Sequence, residues 1–268
     1  MEKIGAIVQA RLASTRLPGK VVKLFPNGKT VIEHIVVNLQ KIELLEKVIV
    51  AIPEGEKGTE LETAIRRTGA TLFFGSTEDV LSRYYHAAGT HDLDIILRVT
   101  ADDPLRDRDV ERAAIEALAS DVSLDYVRTE GLPEGINTEV FRMRSLEKAY
   151  REANLWSERE HVTPYIWKNP GKFHCRTISY CCDNADSYRL TLDSIEDWAM
   201  FTALFKLLEQ QPVAGYAELI ALLAAHPEIC TINNMLDAGS GYAKSVAQDY
   251  IIPNEERQEK DDGFTRQN

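Results

Sequence analysis

Asp and Glu are absent from Ile4 through Ile32, in a chain whose formal net charge is −11. The gap is local, so it marks one segment as a place where negative charge is brought from elsewhere. Cysteine is scarce too: Cys175, Cys181, Cys182 and Cys230 are the four, and none falls in C-x-x-C spacing. That speaks against a zinc site and for reduced thiols in the core. No apolar run approaches the ~20 residues of a membrane span, and no signal-peptide apolar stretch follows Met1-Glu-Lys. A cytoplasmic protein is expected. Repeats and low-complexity tracts are lacking. The acidic balance excludes sequence-independent nucleic-acid binding, which needs a basic surface. A free nucleotide stays open, because one basic loop suffices for it.

What is present is ordinary for a globular protein: 268 residues, 44% hydrophobic and 27% charged. A single domain is expected over residues 1–252, with a polar, disordered tail over 253–268. Residues 4–8, 47–52, 71–74 and 94–99 read as buried strands. Helices alternate with them. Thr30-Val-Ile-Glu33 forms a capping box ahead of Ile32, Ile35, Val36 and Leu39 on one face. Thr59-Glu-Leu-Glu62 offers a second box, with Gly69 as a stop. Further helices are expected over 77–91 and 109–118. Continuously apolar strands in this rhythm imply an α/β fold, a mostly parallel sheet covered by helices on both faces. The rhythm changes at Asp121, dividing the domain into halves at 1–120 and 121–252. The second half carries shorter strands near 125–127, 137–141 and 188–192, and a strand or hairpin arm at 173–181. Its helices are expected at 145–153, 157–168, 194–208 and 216–225.

The acid-free segment holds a loop, Gln9-Ala-Arg-Leu-Ala-Ser-Thr-Arg-Leu-Pro-Gly-Lys20, directly after the first strand. Arg11, Arg16 and Lys20 lie in it, with Lys23 and Lys29 close behind. Guanidinium and ammonium groups pair with phosphate oxygens, and small residues let backbone N–H groups approach. A triphosphate needs both. In open α/β sheets ligands sit outside the carboxyl ends of the strands. Asp102-Asp103-Pro104 lies at such an end, where a carboxylate can hold Mg²⁺ or simply close the turn before proline. Asp193 follows another expected strand, and serves either as a second carboxylate or as an N-cap shared with Ser194. Arg189 either orients Asp193 or forms a surface pair. Ser76, Asp79 and Arg83 stand near the end of the third strand, where a base or ribose would lie, in what is also an ordinary capped helix start. His161 and Tyr165 are i, i+4 neighbours beside Arg159 and Glu160, suited to a substrate or to packing. Trp156 and Trp167 are read as packing residues.

The loop resembles the opening loop of the sugar-acid cytidylyltransferases, and Ala13-Ser-Thr-Arg-Leu-Pro-Gly-Lys20 is similar to its CMP-Kdo synthetase form. Over nearly the whole chain the likeness is to the spore coat polysaccharide biosynthesis protein F group. The resemblance implies a Rossmann-like nucleotide-diphospho-sugar transferase fold of the GT-A type. It implies a Mg²⁺-dependent enzyme that joins CTP to a sugar acid and releases pyrophosphate in surface-glycan synthesis. Arg11, Arg16 and Lys20 would then be catalytic. Ala10, Arg11, Ser14, Thr15, Arg16, Lys20, Ser76, Asp79, Arg83 and Asp102 would bind nucleotide. Arg159, His161 and Tyr165 would bind the sugar, and Asp102 and Asp193 the metal. Residues 1–120 would be the nucleotide half and 121–252 the sugar-binding and dimerisation half of a homodimer. A sugar-1-phosphate nucleotidyltransferase, a glycosyltransferase of the same fold, and a non-catalytic nucleotide-binding partner of a sugar-pathway enzyme are the competing readings. The first lacks its usual Gly-Gly-x-Gly-x-Arg opening here, and the second leaves the basic loop unexplained. Asp103 stands where close relatives often have Cys, and Glu134-Gly135 where they often have Asp-Gly; neither removes an expected ligand.

Overall fold

The apolar runs do become the centre of the molecule. In the computed structural model, which describes residues 2–236 and 240–253, they pair into a seven-stranded sheet of order β3-β2-β1-β4-β6-β5-β7. The strands are β1 Ile4–Gln9, β2 Lys47–Pro53, β3 Thr71–Gly75, β4 Ile95–Thr100, β5 Tyr126–Glu130, β6 Glu139–Arg142 and β7 Cys175–Ser179. β1 pairs in parallel with β2 and β4, and β2 with β3. β6 is antiparallel to both β4 and β5, while β7 returns parallel to β5. One sheet therefore spans both halves of the sequence. The tail expected over 253–268 lies, apart from Pro253, outside the described residues.

Strand pleating divides the side chains between two cores. Ala6, Val8, Val50, Leu97 and Val99 face one side, packed against α1 Val31–Leu39, α2 Glu60–Thr68, α4 Arg108–Ala119 and α8 Ile195–Gln210. Ile7, Ile49, Ala51 and Ile96 face the other, under α3 Val80–Thr90, α5 Met143–Glu152, α6 Trp156–His161 and α7 Pro164–Trp167. α9 Tyr216–Ala225, α10 Pro227–Cys230 and α11 Ser240–Ala247 complete the described chain. This alternation makes β1 and β4 buried on both faces while aiming successive residues at their carboxyl ends to opposite sides.

Local chemistry explains where elements begin and end. The Thr30 box forms as expected: the Thr30 hydroxyl accepts from Glu33 N, and the Glu33 carboxylate accepts from Thr30 N at 2.8 Å. Gly69 closes α2 in the left-handed region, with φ 73°. The second box does not form. The Thr59 hydroxyl turns back to Glu56 O, 2.7 Å away, and Glu62 accepts from Gly58 N instead. The helix expected over 157–168 is broken at Val162, whose φ of 72° and ψ of −56° close a γ-turn with Thr163 N on His161 O. Pro164 gives the physical reason, since its ring cannot occupy a helix interior and instead starts α7. Residues 188–192 are not a strand either. Leu190 N donates to Glu134 O and Leu192 N to Asp102 O, so the segment bridges two loops rather than joining a ladder. Nor are the thiols core residues: Cys175 and Cys181 are exposed, and Cys182 and Cys230 half-buried.

The first core contains an ionisable group that must stay neutral. His34 on α1 packs edge-on against Phe25 and Phe205, themselves stacked 3.9 Å apart, and its Nε2 lies 3.0 Å from Asn38 Nδ2. Burial, helped by Lys29 and Lys41, lowers its pKa from 6.5 to about 4. The unfolded chain therefore binds a proton that the folded one refuses between these values. His34's contribution to stability is present above pH 6.5 and lost as pH falls through about 4. Urea unfolding at pH 7 and pH 5 should show a smaller stability difference for His34→Gln than for wild type. An unchanged difference would remove His34 as a source of the acid sensitivity.

Candidate active site

The basic loop leaves β1 at Gln9 and closes on itself before the next helix begins. Gly19 N donates to Leu12 O at 3.0 Å and Lys20 N to Leu17 O at 3.2 Å. Leu12 N is held by the buried Glu56 carboxylate, 2.8 Å away, and Leu17 is packed into the core. Gly19 takes φ 67°, which lets the chain turn into the short 3₁₀ segment Lys20–Val22. Within this frame the backbone N–H groups of Ala13, Ser14, Thr15 and Arg16 donate to no acceptor among the described residues. Four successive donors without a protein acceptor leave this turn open to an anion.

Lys20 is where three parts of the chain meet. Its Nζ lies 3.2 Å from Asp102 Oδ2, 2.9 Å from Asp193 Oδ1 and 2.9 Å from Leu192 O. Burial opposes its charge, but Asp102 and Asp193 outweigh that and raise its pKa above the ordinary value. Arg16 reaches the other Asp193 oxygen at 2.9 Å. Asp193 does not cap α8. Ser194 does, in a box with Asp197. The buried Asp197 also accepts from Asp193 N and Ser194 N, both at 2.9 Å, and binds Arg189 and Asn233. Arg189 is buried and links Glu134, Asp193 and Asp197. The Asp193 carboxylate is thereby pre-positioned and left free to face the loop.

Asp102 sits just past β4, and its carbonyl accepts from Leu192 N at 2.7 Å. That bond ties the two carboxylate-bearing segments together. Its neighbour Asp103 points elsewhere, accepting from the Thr100 hydroxyl at 2.7 Å. Burial and the adjacent Asp102 charge push the Asp103 carboxyl up to about 6.

Lys20, Asp102 and Asp193 line a pocket of about 550 Å³ at the carboxyl ends of β1 and β4. Five cationic side chains, Arg11, Arg16, Lys20, Arg83 and Arg98, face three carboxylates, Asp102, Glu160 and Asp193. In a chain of net charge −11 this is a strong local reversal. Arg83 is 2% exposed, gives one hydrogen bond to Ser76 O, and leaves its Nε without a partner. Desolvation lowers its pKa to about 10. A buried guanidinium left short of acceptors at a pocket wall is suited to a ligand oxygen. His161 is also on the wall. Its burial, with Arg98 nearby, lowers its pKa to about 4, so the ring is neutral at pH 7. Its Nε2 is 2.9 Å from Ser245 Oγ, whose hydroxyl serves Glu160 at 2.9 Å.

The structure brings Ala10, Arg11, Ser14, Thr15, Arg16, Lys20, Arg83, Asp102, His161 and Asp193 to this one pocket. It keeps four of the expected residues from it. Ser76 Oγ accepts from Asp79 N and shapes the entry to α3. Asp79 caps α3 through Ser82 N and pairs with Arg159, whose NH2 lies 2.6 Å from Oδ2. Arg159 is buried, and its remaining donors go to Tyr150 O and Ala153 O. Tyr165, carried away from His161 by the break at Val162, donates to Glu152 at 2.6 Å. Gln9, Arg98 and Thr100 line the pocket without having been singled out from the sequence. Arg98 carried a signal, as the lone charge in an otherwise apolar strand; its partner is Glu139, 2.7 Å away.

Two carboxylate oxygens converging on one cation suit Mg²⁺, which takes one or two carboxylates and completes its shell with water and phosphate oxygens. Among the described residues there is no cluster of three or more His, Cys, Asp or Glu that would make a standing metal cage. No helix among them is long and apolar enough to cross a membrane.

Comparison with known proteins shows the family to which the chain belongs. The sequence profile of the cytidylyltransferase family matches residues 5–222. The chain is 33% identical over 235 residues to an uncharacterized protein of Methanocaldococcus jannaschii, covering 87% of this chain and 95% of the other. It is 30% identical to spore coat polysaccharide biosynthesis protein SpsF of Bacillus subtilis, covering 86% and 98%. A cytidylyltransferase structure from Leptospira borgpetersenii superposes with a TM-score of 0.78 at 30% identity, over 86% of this chain and 97% of that one. The structure of CMP:2-keto-3-deoxy-manno-octonic acid synthetase complexed with CTP shares the Rossmann-like fold alone, with a TM-score of 0.61 at 15% identity over 78% and 100%. On the strength of a match that runs through the loop, both carboxylates and nearly the whole sheet, the chain belongs to the cytidylyltransferase family of nucleotidyltransferases.

Proposed function

We propose that the protein transfers CMP from CTP to a hydroxyl of a sugar acid in a Mg²⁺-dependent reaction. The hydroxyl oxygen forms a bond to the α-phosphorus and gives up its proton to solvent, the bond from that phosphorus to the oxygen bridging to the β-phosphate breaks, and pyrophosphate leaves with that oxygen. One observation carries the reading: the basic loop and two separate carboxylates meet at Lys20, at the carboxyl ends of β1 and β4. The free N–H groups of Ala13–Arg16 and the cations of Arg11, Arg16 and Lys20 would hold the triphosphate and offset the charge that grows on the pyrophosphate. Asp102 and Asp193 would hold the metal, which neutralises charge on the phosphate oxygens when bound. Arg83 would meet the nucleotide from the α3 side and neutral His161 the acceptor. Such chemistry is mostly positioning and charge neutralisation. The sugar acid as acceptor and a place in polysaccharide synthesis follow from the relatives' names and the loop, and belong to this proposal.

Thermal unfolding with each of the four NTPs and Mg²⁺ tests the nucleotide. A ligand at about a hundred times its Kd stabilises by ~2.7 kcal/mol. CTP should raise the melting temperature most, and equal shifts with all four would remove the cytidylyl assignment. Pyrophosphate release across a panel of 2-keto sugar acids then tests the acceptor.

The carboxylates give a sharper test. Asp102→Asn and Asp193→Asn keep shape but remove the charge that would balance a divalent ion. Both should stay folded, lose Mg²⁺-dependent CTP binding, and slow turnover by ~100- to 1,000-fold, the scale of one lost charge-stabilising contact. Wild-type metal dependence in Asp193→Asn would leave only one carboxylate at the metal.

His161→Ala should weaken turnover of the sugar acid while CTP binding stays near wild type. Loss of both, together with a lower melting temperature, would mark His161 as part of the Ser245–Glu160 packing only.

A further inference from the structure

Lys20 occupies the point on which the two carboxylates converge. An ammonium has three donors, and in this structure all three directions end on protein oxygens: Asp102 Oδ2 at 3.2 Å, Asp193 Oδ1 at 2.9 Å and Leu192 O at 2.9 Å. The Lys20 side chain is only 11% exposed. It lines the pocket with little of its surface open to solvent. A phosphate oxygen can therefore be served only if Lys20 gives up one of its present partners. The backbone that carries the two carboxylates, by contrast, is tied in place. Asp193 is fixed through its N–H on Asp197 and through Arg189, and Asp102 is tied by its carbonyl to Leu192 N. The lysine, a point charge on a flexible four-carbon stem, is the member best suited to change partners.

We infer that Lys20 is the built-in counter-ion of the metal site, filling it until a triphosphate draws the ammonium away. This rests on the assignment of Asp102 and Asp193 to the metal. An ammonium and a divalent cation repel strongly at the separations seen here, so the two cannot share the carboxylates. Two consequences follow. The protein without nucleotide discriminates against divalent ions although it holds two oxygen ligands in place. Triphosphate and metal then bind with positive coupling that passes through the lysine: phosphate oxygens accept Lys20, and the carboxylates are released to the metal. Arg16, on the other Asp193 oxygen at 2.9 Å, stands where it would make the same exchange from the solvent side.

The test is Mn²⁺ binding to the full-length protein, read from the paramagnetic resonance signal of free Mn²⁺ with no turnover involved. Wild type, Lys20→Met, Lys20→Gln and the charge-keeping Lys20→Arg are titrated with and without the non-hydrolysable α,β-methylene analogue of CTP. Without nucleotide, Lys20→Met and Lys20→Gln should bind Mn²⁺ about tenfold or more tightly than wild type, since a competing charge is gone. Lys20→Arg should stay near wild type. Wild type should tighten when the analogue is added, and Asp193→Asn should abolish that gain. Should the neutral variants not fold, acetylation of wild-type Lys20 gives the answer: saturating Mn²⁺ alone must speed its labelling by displacing it. Wild-type Mn²⁺ affinity in the folded neutral variants, or labelling that Mn²⁺ leaves unchanged, overturns the counter-ion role while the Asp193-dependent gain keeps the metal site. No Asp193-dependent Mn²⁺ binding with the analogue present overturns the metal assignment itself, and the inference with it.

Discussion

The contact of one ammonium with two carboxylates and a carbonyl organises this molecule. Lys20 follows the first strand, Asp102 the fourth, and Asp193 lies beyond the seventh. No local rule brings these positions together. The parallel order β1–β4 sets the first loop beside Asp102, and the bond from Leu192 N to Asp102 O sets Asp193 beside both. Lys20 then closes the arrangement electrostatically. Two carboxylates this near one another would otherwise raise each other's cost of ionisation, as Asp103, pushed up to about 6 by burial and Asp102, illustrates one residue away.

The acid-free stretch of the sequence gains a physical meaning in this light. Its cations are not simply a basic patch. Arg11 and Arg83 face the pocket without an ion pair among the described residues, whereas Arg16 and Lys20 are already engaged by Asp193. Unpaired charges supply attraction at a distance and are screened by salt. Paired ones would supply exchange under the proposed function, each new bond to a phosphate being made at the loss of an old one to a carboxylate. In that reading the first kind would set how fast an anion arrives, the second which anion stays.

What could be read from the sequence follows the range of the interaction. The four parallel strands, the Thr30 box, the Gly69 stop and the basic loop depend on neighbours within a few residues, and they are where the pattern put them. Asp102 and Asp193 were legible because each follows an apolar run at a strand end, though the run before Asp193 forms no strand. Roles set by long-range partners were not legible. Asp79 and Arg159 look like polar groups offered to a ligand, and only the fold reveals that they neutralise each other across 80 residues in a buried pair. Asp197, with no exposed surface, reads as an ordinary helix-start acid yet fixes the Asp193 backbone. Gln9 and Thr100 sit in strands whose apolar neighbours conceal that both point into the pocket.

The break at Val162 shows how one unfavourable local choice can serve a site. A β-branched residue at φ 72° is costly, of order 1–3 kcal/mol, and persists only where surroundings impose it. A continuous helix would have placed His161 and Tyr165 on one face, one turn apart. With the γ-turn, His161 ends α6 on the pocket wall while Tyr165 falls in a new helix, against Glu152 and Phe173. The Thr163 hydroxyl meanwhile donates to Glu139 at 2.6 Å, the same carboxylate that holds Arg98. The turn thus lies between His161 and the Arg98–Glu139 pair, and both His161 and Arg98 line the pocket. Straightening it would disturb both at once, so the strain is retained by the contacts that it makes possible.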